Sequence, residues 1–495
     1  MFYVKASKRE LVRCLAFTST SRRRFIAGGM CAACGSLAPY AVADTAKGQA
    51  FRLGVLSDIH LTKAGTSGHE RLRLALAYLD ARGVDAVVIA GDLANASQVD
   101  ELRLVAQTWN EAFPDGRGCD GRTVERILVT GNHDMLEGLW FRDEAARAKC
   151  ATGSFSNDPA RYWKEIFGEE WRPVSVRRIA GHDFVCVHYG HEAEVEAWFA
   201  ENGSRLKGEK PFFFVQHLHP KGTCFQDGAL CDKGISTRVL SAYPNCFAIT
   251  GHSHRPLAEE RAIWQGAFTS MGASTTAGLL WPTGCENSYV PIAMRTKTAP
   301  QHMPTLSARG SFQGAILTVT DTSVDIERRD FSRGSKVGPD WHLPLPLETH
   351  PERPFIFAEG AEAPYYPERW DNKASVTERD GKDRYGKPER QLVVSAPPAW
   401  ASTPASRTVF YLATAEDAET GKVLLTRKVL AEGYFLPFEE ARRFPAKIVF
   451  AHDEFKPGTK VRFRVWAENS GHARGDPAVS NAIEVGPAGK MEATA

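Results

Sequence analysis

The sequence lacks a surplus of charge: 61 Lys and Arg stand against 59 Asp and Glu, for a formal net charge of +2. No long-range field therefore argues for nucleic acid or an anionic membrane as a partner. It lacks a long-period internal repeat, which excludes a stacked-repeat architecture. It also lacks an unbroken apolar stretch near the N-terminus. The weakly apolar run there, "AGGMCAACGSLAPYAVA", carries glycines and a proline, which argue against a spanning helix, so no stable membrane anchor is expected. What is present is an ordinary globular composition, 43% hydrophobic and 24% charged, on 495 residues. A chain of that length exceeds one core, and two or three domains are expected.

The segment ahead of that run reads "TSRRRFI", and the run closes in the small-x-small pattern Ala41-Val42-Ala43. This resembles a bacterial twin-arginine export signal, with Arg22 and Arg23 as the pair and cleavage after Ala43. The resemblance implies a signal peptide over 1–43, the twin-arginine translocase as a transient partner, and a periplasmic or secreted location. No leucine stands where a lipobox would place one before Cys31 or Cys34, so lipidation is not expected. Of the ten cysteines, Cys14, Cys31 and Cys34 would leave with the signal, and the other seven would face an oxidising compartment. Cys224 and Cys231, which bracket "CFQDGALC", are the best disulfide candidates. Cys186, inside "DFVCVHYG", reads as a buried thiol.

From Phe51 to about Asp330, apolar β-type runs alternate with helical patterns. "FRLGVLSD", "VDAVVIAGD" and "VERILVTGNHD" read as strands, separated by the helical "HERLRLALAYLDAR" and "VDELRLVAQTWNEAF". That order implies a layered α/β sheet with parallel strands. Residues 44–335 are expected to form this domain and the proline-rich 336–355 a linker. Residues 356–495, with runs such as "SRTVFYLATAED" and "KVRFRVWAENSG" and no intervening helices, read as a β-sandwich resembling fibronectin type III or immunoglobulin-like domains.

The strand ends carry the chemistry. "SDIH" supplies Asp58 and His60, "AGDLAN" supplies Asp92, and "TGNHD" supplies Asn132, His133 and Asp134. "FFFVQHLHP" supplies His217 and His219, and "ITGHSH" supplies His252 and His254. Singly, each has a bland reading: an aspartate after a strand can cap a helix, an asparagine can serve a turn, and a lone histidine can sit satisfied on the surface. Five strand ends delivering such side chains to the edge where open α/β sheets collect ligands is a different matter, and a metal site is expected there.

The ordered set D-x-H, G-D, G-N-H-D, H and G-H-x-H resembles the calcineurin-like metallophosphoesterase superfamily over Phe51 to Asp330. The resemblance implies a four-layer α/β/β/α sandwich, with two divalent or mixed-valence metal ions at the strand ends. Carried over, Asp58, His60, Asp92 and His254 would hold the first metal. Asp92, Asn132, His217 and His252 would hold the second, with Asp92 as the bridge. His217 directly follows its strand and is favoured as ligand over His219. Nitrogen and oxygen donors without thiolate suit Mn, Fe or Zn. "GDLAN" lacks the tyrosine that purple acid phosphatases place beside the bridging aspartate. A hydroxide between the metals would be the nucleophile, His133 would serve the leaving oxygen, and Asp134 would orient His133.

The implied substrate is a small phosphate monoester or diester, with no nucleic acid as partner. The segment 270–284 is a candidate pocket lining. Because the metal-type residues all precede Asp330, a chain cut near Leu345 is expected to keep its hydrolysis. The competing reading is an exported binding protein that acts through its β-sandwich and carries a vestigial metal domain.

Overall fold

The computed structural model describes residues 50–63, 66–135, 159–226, 231–279, 310–358, 361–367, 373–382 and 387–487. The export signal over 1–43, with Arg22 and Arg23, lies outside them. Among the described residues no helix is long and apolar enough to cross a membrane.

The first sheet is built on three parallel strands, β1 (Phe51–Leu56), β2 (Ala86–Ala90) and β3 (Glu125–Val129). Antiparallel β10 (Gln313–Val319) and β11 (Ser323–Asp330) extend it from the β1 side. In β2 the alternation of a strand is visible residue by residue. Ala86, Val88 and Ala90 face the second sheet, while Val87 and Ile89 face helices. Those helices are α1 (Thr66–Ala81), which places Leu72, Ala75, Leu76 and Leu79 in the same core, and α2 (Val99–Ala112), which adds Leu102, Val105 and Trp109. A strand covered on both faces has no use for polar residues, hence the unbroken apolar "AVVIA".

The second sheet runs in the order β4 (Val174–Ile179), β5 (His182–Val187), β6 (Phe212–Val215), β7 (Cys246–Thr250), β9 (Thr269–Gly272), β8 (Ile263–Gln265). The four strands β5, β6, β7 and β9 are mutually parallel. Phe184, Phe213, Phe247 and Met271 meet Leu53, Val55 and Val88 of the first sheet in one core. Val195 and Phe199 of helix α3 (Glu192–Asn202) join that cluster. Helices outside, two sheets inside: these are the four layers that the resemblance implied.

The expectation of a linker over 336–355 needs correction. β12 (Ser335–Lys336) and β13 (Trp341–Pro344) both pair with β11. Val337, Trp341, Leu343 and Leu347 are buried in the core between the sheets. Prolines in the segment are compatible with this because both strands are short additions at the sheet's edge. Trp341 also completes a buried ionic cluster. Its indole Nε1 donates to Glu260 Oε2 at 2.6 Å, both Arg328 Nη atoms donate to Glu260 Oε1 at 3.1 Å, and the Arg328 guanidinium lies 4.1 Å from the Trp341 ring centroid.

The all-β region follows. Its strands are β14 (Lys373–Lys382), β15 (Pro388–Ala396), β16 (Phe410–Asp417), β17 (Val423–Leu430), β18 (Ala446–Ala451), β19 (Lys460–Glu468), β20 (Ala478–Ser480) and β21 (Ile483–Glu484), connected in the order β17-β16-β19-β20-β14-β15-β18 with β21 on β19. They surround their own core, in which Leu392, Val394, Ala413, Phe450, Phe463 and Val465 are buried. The region is fastened to the α/β part by polar contacts. Arg407 donates to the carbonyl of Val337, Gln313 Nε2 donates to the Phe435 carbonyl at 2.9 Å, and Arg333 pairs with Glu440 at 3.2 Å.

The Cys224–Cys231 disulfide is not formed: Cys224 is a free, fully buried thiol whose Sγ lies 3.3 Å from the Ala262 carbonyl and 3.2 Å from that of Ser270. Cys186 is buried and free, as its apolar setting implied, and burial pushes its thiol up to about 12.

Glu260→Ala should leave Arg328 buried without its counter-charge and cost about 3–5 kcal/mol. Urea denaturation of the variant against the parent checks this, and a loss under 1 kcal/mol would show that the cluster is not held as described.

Candidate metal centre

The residues that end the strands sit on turns of unusual geometry. Asp58, His60, Asp92, His252 and His254 all have positive φ, between 46° and 66°. Aspartate and histidine are among the side chains that tolerate this region, at a cost of about 1–3 kcal/mol each. The surroundings over-determine it. The amides of Ile59 and His60 both donate to the Asp92 carbonyl at 2.9 and 3.0 Å, and the Asp58 amide donates to Gly91 O at 3.0 Å. The turns after β1 and β2 are thus zipped together.

Close approach explains the glycine ahead of two motifs. A Cβ on Gly251 would collide with Ser57 Oγ and come within 2.6 Å of Asp58 Oδ2, and one on Gly131 would collide with Asp92 Oδ1.

Two groups of ligating atoms result, each within 4.8 Å: Asp58, His60, Asp92 and His254, and Asp92, His217 and His252. In the first, His254 Nε2 is 3.0 Å from both His60 Nε2 and Asp58 Oδ1. In the second, His217 Nε2 is 3.1 Å from Asn132 Oδ1, which brings the asparagine to the same point. One oxygen, Asp92 Oδ2, serves both groups, 3.4 Å from His60 Nε2 and 3.2 Å from His217 Nε2. The other, Oδ1, accepts the His133 amide at 2.9 Å. The two groups therefore share Asp92 through a single atom.

The donor set fits cations. His217 Nδ1 donates to Ala90 O at 2.8 Å and His254 Nδ1 donates to Gly278 O at 2.7 Å. In the neutral imidazoles the inward Nε2 atoms are then acceptors, and they face carboxylate and amide oxygens that are acceptors too. Buried acceptors 3.0–3.4 Å apart need positive charge between them, and bonds of about 2.0–2.2 Å to a shared ion suit such spacings.

The electrostatics give the same result. Burial opposes charge on His217, yet Asp92 and Asp58 push its imidazole up to about 10; a proton there does what a cation otherwise would. Burial would raise Asp58 and Asp92, but His254 beside the first and His217 beside the second hold both below the usual carboxylate range. His252, driven down to about 4 by burial and by His217, stays neutral, the form that binds metal.

His219 is not in either group. It is fully buried and its Nδ1 donates to Thr250 Oγ1 at 2.6 Å, the threonine hydroxyl in turn donating to Met271 O at 3.1 Å. His133 and Asp134 lie beside the groups, but Asp134 does not orient His133. The His133 ring is held by Nδ1 donating to the Asn95 carbonyl at 2.7 Å. Asp134 accepts from the amides of Leu93, Ala94 and Gly131 at 3.1, 2.7 and 2.8 Å. It locks the β2 and β3 turns to each other. Burial and the Asp92 carboxylate push its carboxyl up to about 7, while the three amides pull it back toward ionisation.

The segment behind the first group has a role other than the one its sequence suggested. Thr275 Oγ1 and the Ala277 amide donate to Asp58 O at 2.9 and 3.1 Å, the Thr276 amide donates to Ser57 O at 3.1 Å, and Gly278 supplies the carbonyl for His254. Residues 270–284 were read as a pocket lining; the described part, up to residue 279, supports the ligand turns from behind. The only signal was the run of small hydroxyl residues in "ASTTAG".

Residues 51–256 match the family model for calcineurin-like phosphoesterases. The matched span contains the strand-end turns from Asp58 to His254. No curated protein matches the chain. Among solved structures, the chain is similar to GAP50, the anchor in the inner membrane complex of Plasmodium, at 11% identity over 61% of this chain and 90% of that one, with a TM-score of 0.36. It is similar to a dimetal phosphatase from Danio rerio at 12% identity over 59% and 98%, with a TM-score of 0.33. It is similar to a purple acid phosphatase from yellow lupin, Lupinus luteus, at 13% identity over 60% and 54%, with a TM-score of 0.37.

The candidate centre offers a direct comparison of two neighbouring histidines. His217→Ala should remove one equivalent of bound metal from the purified protein, and His219→Ala should retain both. Elemental analysis after gel filtration reads the difference. Gly251→Ala, which drives a methyl into Ser57, should lose metal at both positions while His217, Asn132 and Asp92 remain in the sequence.

Proposed function

We propose that the chain is an exported phosphoesterase that hydrolyses a small phosphate monoester or diester with two divalent or mixed-valence cations, Mn, Fe or Zn, as cofactors. The observation that carries the reading is the pair of buried acceptor groups sharing Asp92 Oδ2. Asp58, His60, Asp92 and His254 would hold one cation; Asp92, Asn132, His217 and His252 would hold the other. Bound there, the cations would acidify a water and polarise the phosphoryl oxygens for in-line displacement.

The remaining work falls to the chain's own groups. Two carboxylates against two divalent cations leave the site net positive, which suits an anionic phosphate ester. His133, with Nδ1–H committed to Asn95, offers Nε2 to the ester, and a proton carried there passes to the leaving oxygen. The edge of its ring packs on His60, with centroids 4.4 Å apart, so the proton donor is fixed relative to the first cation's ligands. Asp134 keeps the two turns in register without touching the substrate. The full donor set also speaks against the binding-protein alternative, since a vestigial site has no need for seven residues arranged around two points.

Purified protein loaded with Mn or Zn is expected to hydrolyse activated aryl phosphate mono- or diesters and to stop on chelation; a metal-loaded protein inert to both classes would overturn the proposal. Within it, His133→Ala should keep both metals and slow turnover by roughly 10²–10⁴-fold, with a smaller loss when the leaving group needs no proton. His252→Ala should weaken metal occupancy and slow every substrate alike, with partial recovery in excess metal.

The export part of the proposal rests on "TSRRRFI" and Ala41-Val42-Ala43. Changing Arg22 and Arg23 together to Lys should strand a folded precursor inside the cell, read by fractionation and immunoblot. Undiminished appearance outside the cytoplasm would refute this route.

A further inference from the structure

We infer that the C-terminal β region is a positioning element of the first cation group, acting through Leu279 and Gln313. This rests on the two-cation reading above.

Leu279 comes immediately after Gly278, whose carbonyl orients His254, and two residues after Ala277, whose amide bonds to Asp58 O. Its side chain does not belong to the core between the two sheets. It is buried in the core of the β region, in one cluster with Tyr366, Leu392, Phe410 and Tyr434. The short segment that supports Asp58 and His254 is therefore plugged at its end into the other core. At its other side, Arg71 of α1 donates to the carbonyl of Ala277.

Gln313, fully buried on β10, makes the second link. Its backbone amide donates to Thr275 O at 2.9 Å, within the same segment. Its side-chain Oε1 accepts the amide of Leu257 at 2.9 Å, three residues beyond His254. Its Nε2 donates to Phe435 O of the β region at 2.9 Å. One residue thus ties together the 275–279 segment, through its backbone amide, and the chain just past His254 and the β region, through its side chain. A histidine ligand is oriented through its remote nitrogen, and changing such a support typically weakens metal affinity by about 10–100-fold. This is why retained hydrolysis in a chain cut near Leu345 does not follow: the cut removes the core that holds Leu279 and the carbonyl that Gln313 bonds.

The test is equilibrium binding of Mn²⁺ alone to the purified full chain, beside its thermal midpoint. Leu279→Ala is expected to weaken one of two binding steps by about 10–100-fold and leave the other unchanged, and Leu279→Ile to restore most of the loss. Gln313→Met should shift the same step. Phe463→Ala, in the β region where its ring packs on Phe450 and Phe455, should lower the thermal midpoint and leave both affinities unchanged. Should Leu279→Ala not fold, Leu279→Val carries the same comparison. The inference is overturned if the Leu279 variants bind Mn²⁺ as the parent does, or if Phe463→Ala weakens binding equally. A parent chain that binds no Mn²⁺ would instead overturn the two-cation reading, and this inference with it.

Discussion

The arrangement depends on one atom. Asp92 Oδ2 is fully enclosed and faces imidazole nitrogens from both sheets, His60 after β1 and His217 after β6. Two carboxylates and four imidazoles gathered at one point, with Asp58, Asp92 and His217 buried and His60, His252 and His254 part-buried, would repel or strand their lone pairs without positive charge among them. The surrounding fold accepts this through backbone contacts: the amides of His133 and His252 to the Asp92 and Asp58 carboxylates, and the carbonyls of Ala90 and Gly278 to the Nδ1 atoms of His217 and His254. The two-sheet architecture brings those backbone groups together, since the C-terminal ends of β1, β2, β3, β6 and β7 all open onto the same volume.

The fold and the ligand types were legible because they follow from local patterns. "AVVIA" between helical segments reads as a strand covered on both faces, and polar residues just past such strands read as a site. His217 was separable from His219 because it lies two residues closer to the apolar strand. What was not legible depended on contacts far apart in sequence. Nothing near Asp134 shows that its carboxylate will meet the amides of Leu93 and Ala94, some forty positions earlier. Nor does the proline-rich 336–355 announce that Trp341 will bury its indole against Glu260. Local composition there favoured a linker, and the tertiary pairing with β11 prevailed.

The division into domains shows the same limit. All the ligand-type residues precede Asp330, so the sequence alone makes the β region look detachable. In three dimensions, the segment from 274 to 279 leaves β9, supports the first ligand group, and ends in the core of the β region. Domain boundaries drawn by composition follow where chain segments fold, whereas the support of a ligand follows which carbonyl its remote nitrogen meets.

Five ligand-turn residues in the left-handed region would together cost several kcal/mol, so the turns need compensation whether or not cations are bound. That compensation is built into the protein. The His60 and Asp58 amides bond to the β2 turn, the His252 amide bonds to the Asp58 carboxylate at 3.0 Å, and Asp134 cross-links the turns after β2 and β3. A site held this way is shaped before any ion arrives, and binding need not order the backbone. The same reasoning limits substitution: an asparagine at Asp134 would keep its carbonyl oxygen yet turn an NH₂ toward amide donors, and so lose at least one of the bonds that keep His133 and Asp92 in register.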